Sequence, residues 1–166
     1  MNRDELRAAQ APLKQKYREQ ADAGRITLTA EGHLGEGVSC SVATGRAMVE
    51  AGLHPATGGS GMQACSGDML LQALVACAGV TLSAVATALE IPVRGGRLIA
   101  EGDLDFRGTL GVAKEAPVGF QAVRLRMMLD SDAPPEQLAK LLELTERYCV
   151  VYQSLRNPPV LSVALG

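Results

Sequence analysis

The longest run of apolar positions lies between Met69 and Leu89, broken only by single polar residues such as Gln72, Thr81, Ser83 and Thr87. The run is apolar nearly all round, which predicts a central helix from Asp68 to about Glu90. Pro92 and Gly95-Gly96 stop it. Its length suits a membrane span, but its polar residues, the turn at Ser66-Gly67 and the lack of flanking charge asymmetry or an aromatic belt favour a buried core helix. A second stripe, Leu138, Leu141, Leu142, Thr145, Tyr148, Cys149 and Tyr152, predicts one more long helix. Asp132 is its expected cap, Pro134 and Pro135 fit its first turn, and Asn157-Pro158-Pro159 ends it.

Strand signals surround these helices. Arg25–Ala30 alternates and runs into Glu31-Gly32; residues 37–44 alternate again and read as its hairpin partner. Residues 97–102 and 104–107 read as strand, as do 120–129, with Arg124 and Arg126 on a polar face, and 160–164. Arg107 is expected on the same solvated face. Residues 3–22 are polar and helix-prone, with Pro12 interrupting, and predict a loosely attached arm or one that packs on a partner subunit. Hairpins plus two long helices, without βαβ alternation, give an α+β fold. The expected organisation is an N-terminal helical arm over residues 1–24 and a single domain over 25–166. Residues 52–67 hold five glycines and a proline, a long loop of the kind that is often functional.

Composition narrows the function classes. The 166 residues suit one domain with a substantial core. A formal net charge of −2 and no basic cluster argue against nucleic acid as a partner, and 3% aromatic residues leave few stacking platforms for single strands. The charged N-terminus has no apolar signal region, so the expected location is cytoplasmic, with no membrane contact. Four cysteines in a chain with a large core are expected to stay reduced.

Cys77 and Cys149 are the chemically informative residues. Each sits in a largely apolar helical segment, far from the other in sequence, which suggests redox chemistry in a water-poor pocket. Against this stands the ordinary role of free cysteine as a small buried hydrophobe. Cys65 precedes the central helix and is a candidate second thiol; Cys40 on a strand reads as core. Asp68 suits the positive end of the helix dipole, with a catalytic carboxylate as the competing role. Tyr148 and Tyr152 are expected to pack beside Cys149 with their hydroxyls bonded. His33 and His54 are single loop residues, solvated or pinning their loops. No C-x-x-C or H-x-x-x-H spacing points to a metal, and Gly58-Gly59-Ser60-Gly61 lacks the Gly-Lys ending of a phosphate loop, so no cofactor is expected.

The segment Asp68-Met69-Leu70-Leu71-Gln72-Ala73-Leu74-Val75-Ala76-Cys77, taken with Glu146-Arg147-Tyr148-Cys149 and the strands between, resembles the OsmC/Ohr family of peroxide-reducing proteins. The resemblance runs from about residue 25 to the C-terminus. It implies antiparallel sheets wrapped around two central cysteine-bearing helices in an intertwined homodimer, with sites at the subunit interface. It also implies a cysteine-based peroxidase acting in oxidative-stress defence: Cys77 attacks an organic hydroperoxide, Cys149 resolves the sulfenic acid as a disulfide, and a dithiol reductant reopens it.

Two positions depart from the family pattern. Where the well-studied members carry a glutamate, ten residues before the first cysteine, this chain has Gly67, with Asp68 next to it. Its arginine partner has no assigned counterpart, and Arg25 and Arg46 are the candidates. The proline that often follows the second cysteine is Val150. A thiol in an apolar helix without a nearby cation is expected to have a raised pKa. Retention of both cysteines favours the peroxidase. The Gly67 departure favours a non-catalytic protein that binds a small apolar ligand at the dimer interface.

Overall fold

The central helix forms where the apolar run predicts it, as α2 over Ser66–Ala88. Its buried residues, Leu71, Leu74, Val75, Ala78, Gly79, Leu82, Ser83 and Ala86, recur every three or four positions and make one stripe. In this computed structural model the opposite face is not covered: Leu70 and Val80 are each 40% exposed. All-round apolarity thus resolves into one packed face and one bare face within a single chain. By length and composition α2 is apolar enough to cross a membrane, but its stripe is packed into the fold.

The structure describes residues 3–34, 40–42, 51–155 and 160–165. They fold as two compact units, each assembled from separate stretches of chain.

The first unit draws on residues up to 28, on 51–69 and on 102–122. Helix α1, Arg3–Glu19, continues through Pro12. Tyr17 ties it down: its ring is buried with Phe106 and Leu110, and its hydroxyl donates to the Ala56 carbonyl at 2.7 Å. The segment read as loosely attached is therefore anchored at this tyrosine. The glycine-rich loop is held by His54, whose Nδ1 accepts from the Ala56 N–H and whose ring stacks on Phe106. Gly59 is required there, because a Cβ would lie 1.7 Å from the Leu53 carbonyl oxygen. Phe106 and Arg107, expected on a strand, open a short helix, α3, over Phe106–Thr109. The cause is Asp105, whose carboxylate accepts from the Arg107 N–H and pairs with its guanidinium at 2.5 Å. Arg107 is accordingly held in a buried ion pair, not on a solvated face.

The second unit holds most of the sheet. Strands β1 (Arg25–Leu34), β2 (Cys40–Val42), β3 (Gly95–Asp105), β4 (Ala122–Asp130) and β5 (Val160–Leu165) lie in the order β2-β1-β3-β4-β5. β1 and β2 form the expected antiparallel hairpin, with Leu34 opposite Cys40. β4 and β5 run parallel, so the last strand returns by a helical crossover and the C-terminal part is a βαβ unit, which the pattern did not suggest. Leu125, Met127 and Leu129 point into the core from β4, and Arg126 pairs with Glu101 at 2.6 Å on the other face. The crossover is two helices, α4 (Pro135–Tyr148) and α5 (Val150–Ser154), not one. Asp132 does not cap α4. It is bonded to Arg94, which also pairs with Asp130, while Pro134 takes the cap position.

Candidate active site

Cys149 sits at the break between α4 and α5. Its backbone, at φ −71° and ψ 108°, leaves the helical region for one residue, and α5 starts immediately after it. The first amides of any helix lack partners inside the helix, so the Val150 and Val151 N–H groups are free to bond elsewhere. Both favour the Cys77 thiolate.

Cys77 lies half-buried on α2, and Thr81 follows one turn later on the same face. Burial pushes the Cys77 thiol up. Donors outweigh it: the Val151 N–H, the Cys149 thiol, the Thr81 hydroxyl and the Val150 N–H all favour the thiolate, and the net shift is below the usual cysteine value.

Cys149 is shifted the other way. It is 1% exposed, and burial is the main cause that pushes it up to about 11; its hydrogen bond to Cys77 and the charge there add to this, against the opposing Tyr152 and Val151 amides. Around Cys149, Ala78, Leu125, Met127, Thr145 and Tyr152 leave no space for a water molecule. The two thiols thus form an asymmetric pair. Cys77 is half-buried and its thiolate is favoured; Cys149 is sealed and its thiol is favoured. Such a pair supplies a nucleophile and, beside it, a thiol in position to close a disulfide.

The other candidates lie elsewhere. Tyr152 is buried as expected, its hydroxyl donating to Glu146 at 2.7 Å. Tyr148, expected beside Cys149 with its hydroxyl bonded, is 56% exposed and lies under the Arg147 guanidinium. Arg25 pairs with Asp22 at 3.0 Å on the surface of the first unit, and Arg46 lies outside the described residues. Cys65 and Asp68 belong to the first unit as well; Cys65 is a free thiol, and burial raises the Asp68 carboxyl against the opposing charge of His54. Cys40 is placed on β2 by its backbone. No group of three His, Cys, Asp or Glu side chains among the described residues is arranged to hold a metal.

The OsmC-like protein family model matches residues 59–164, which span α2, the sheet from β3 onward and the whole thiol pair. The chain belongs to the OsmC-like protein family. Two solved structures share the fold of this OsmC-like chain. One is an OsmC-like hydroperoxide resistance protein from Jannaschia sp. CCS1, with a TM-score of 0.58 and 16% identity, over 82% of this chain and 90% of that one. The other is an OsmC-like protein from Mycoplasma pneumoniae, with a TM-score of 0.58 and 14% identity, over 86% of this chain and 94% of that one. No curated protein matches the chain.

The expected α+β, OsmC-like fold is therefore present. Thr81 acts on Cys77 from one turn away on the same helix; what sequence reasoning missed are the amides of Val150 and Val151. The amides carried no signal, because a residue's side chain does not announce where its N–H points.

Proposed function

We propose that this OsmC-like protein is a thiol peroxidase that reduces organic hydroperoxides to alcohols in oxidative-stress defence. The observation that carries the reading is a pair of free thiols in unlike settings, Cys77 half-buried on α2 and Cys149 sealed at the corner, each of which acts on the other's acidity. The hydroperoxide resistance protein of the same fold supports it.

The Cys77 thiolate attacks the outer oxygen of the hydroperoxide, the O–O bond breaks, and the alkoxide leaves with a proton as alcohol. Cys77 becomes a sulfenic acid. Cys149 then attacks that sulfur, its proton leaves with the hydroxyl as water, and a Cys77–Cys149 disulfide remains. An external dithiol reopens it by exchange. The free thiols suit a reducing cytoplasm. No cofactor is needed for these steps.

A homodimer is part of the proposal. Leu70, Ala73, Val80 and Ala84 form a bare apolar stripe on α2, along the face that carries Cys77. Covering it with a second copy would remove that surface from water and put an apolar wall beside the nucleophile, which favours an organic peroxide at roughly 25 cal/mol per Å² buried.

Consumption of cumene hydroperoxide with a dithiol tests the reading. Wild type should turn over, Cys77→Ser should not, and Cys149→Ser should stop after one oxidation with a trappable sulfenic acid. Peptide mapping of oxidised wild type should find the 77–149 linkage. Equal background rates for wild type and Cys77→Ser would replace the enzyme with a protein that binds an apolar ligand at the dimer interface.

A further inference from the structure

We infer that His54 is a proton-sensitive latch on the glycine-rich loop: as the neutral imidazole it accepts the Ala56 N–H and holds the loop that α1 grips through Tyr17, and as the cation it releases both. The inference concerns the first unit alone and stands whether or not Cys77 reduces peroxides.

A ring nitrogen can accept a hydrogen bond only if it carries no proton. The Ala56 N–H donates to His54 Nδ1 at 3.0 Å, so the ring is neutral here with its proton on Nε2. This bond caps the single 3-10 turn over Pro55–Thr57. The ring is braced from α3 as well, stacked on Phe106 with centroids 5.0 Å apart and planes inclined by 19°.

Helix α1 grips the same few residues. The Tyr17 hydroxyl donates to the Ala56 carbonyl at 2.7 Å, and Gln10 Nε2 donates to the Thr57 carbonyl at 3.3 Å. Gly58 follows at φ 93°, and a Cβ on it would lie 3.3 Å from the Ala9 side chain. Ala56 thus has its N–H on His54 and its carbonyl on Tyr17. A proton on Nδ1 turns that acceptor into a donor, so two N–H groups then point at each other. The latched form binds no proton there and the released form does. Acid therefore favours release, which frees Tyr17 and uncovers the apolar cluster it shares with Phe106 and Leu110.

The charged surroundings do not oppose this. α1 turns Ala9, Gln10, Leu13 and Tyr17 to the loop and the cluster; of these Tyr17 titrates, and burial raises its phenol, which keeps it a donor. From α3 the Arg107 guanidinium is committed to Asp105. At the start of α2 the Asp68 carboxylate attracts a charged His54. Asp68 thus favours the cation that the latched bond forbids.

The test uses the full chain and amide hydrogen exchange read by NMR, corrected for the intrinsic rate at each pH. A released histidine takes up its proton at about pH 6.5, so the Ala56 amide should open about tenfold more at pH 5.5 than at pH 7.5. The α1 amides around Tyr17 should follow it, while Leu125 in β4 stays protected. Ring nitrogen shifts of His54 should change over the same range from the Nε2–H tautomer to the cation. His54→Asn keeps a side-chain oxygen that caps the same turn and has no proton to gain, so its Ala56 opening should be equal at the two pH values. His54→Ala should be as open at pH 7.5 as wild type is at pH 5.5. Equal opening of wild type at both pH values would overturn the inference, as would acid opening of His54→Asn to the wild-type extent. Leu125 losing protection in step with Ala56 would also overturn it, since that is global unfolding. None of these readings involves a peroxide, so a failure of the peroxidase proposal would appear separately.

Discussion

Cys77 and Cys149 act on each other, and the interaction pushes their acidities in opposite directions. The Cys149 thiol favours the Cys77 thiolate, while burial first and then the charge on Cys77 push Cys149 up.

Val150→Pro isolates one of the amides that serve Cys77. Cys149 already has the extended backbone that a residue before proline adopts, and proline is accepted at the first position of a helix. The substitution should leave the fold intact and remove a single N–H. Alkylation of Cys77 should then shift to higher pH, and peroxide consumption near neutral pH should fall about threefold to tenfold. An unchanged alkylation profile would show that the Val150 amide does not serve the thiolate.

Thr81→Val tests the donor on α2 itself. Valine matches threonine in shape and lacks the hydroxyl, so packing is kept while one hydrogen bond to Cys77 is lost. The expected outcome is a rate deficit of about fivefold at neutral pH that closes as pH rises and Cys77 ionises fully. Stopped-flow rates across pH would read it; a deficit constant at every pH would point to lost substrate contact.

Val80→Glu should break the proposed dimer. Val80 is 40% exposed within one chain, so a charge there is tolerated by the monomer but is costly on an apolar interface. Light scattering at micromolar concentration should give twice the chain mass for wild type and a single chain mass for the variant. A monomeric wild type would remove the dimer from the proposal.

Asp105→Asn should weaken the first unit, most clearly by its pH dependence. The Arg107 side-chain bond is the main cause that holds the Asp105 carboxyl below its usual value, against burial. The stabilisation from this pair is complete above the unfolded carboxyl value, about pH 4, and is lost as pH falls through the lower folded value. The variant should melt about 5–10 °C below wild type at pH 7, and the gap should narrow in strong acid. Equal melting temperatures at pH 7 would count against a structural role for the pair.

Hydrophobic pattern and family motif, read from the chain alone, settled that α2 is a helix over the Cys77 segment, that an amphipathic helix leads up to the second cysteine, and that an α+β fold surrounds them. These are local facts: a 3.6-residue or two-residue period is written in neighbouring side chains. The same reading looked for a cation near Cys77, because a thiolate in an apolar helix needs positive charge and charge is visible in a sequence. In the folded chain neutral groups, the Thr81 hydroxyl and the Val150 and Val151 amides, favour that thiolate. Where Cys149 interrupts its helix, which way the Val150 and Val151 amides then face, and why Tyr152 is buried while Tyr148 is exposed all depend on one backbone bend. No residue in the corner encodes that bend by itself. It comes from burying Cys149 and Tyr152 together against β4 and from the hydrogen bonds that Glu146 accepts across the break, interactions that exist only once the chain has folded.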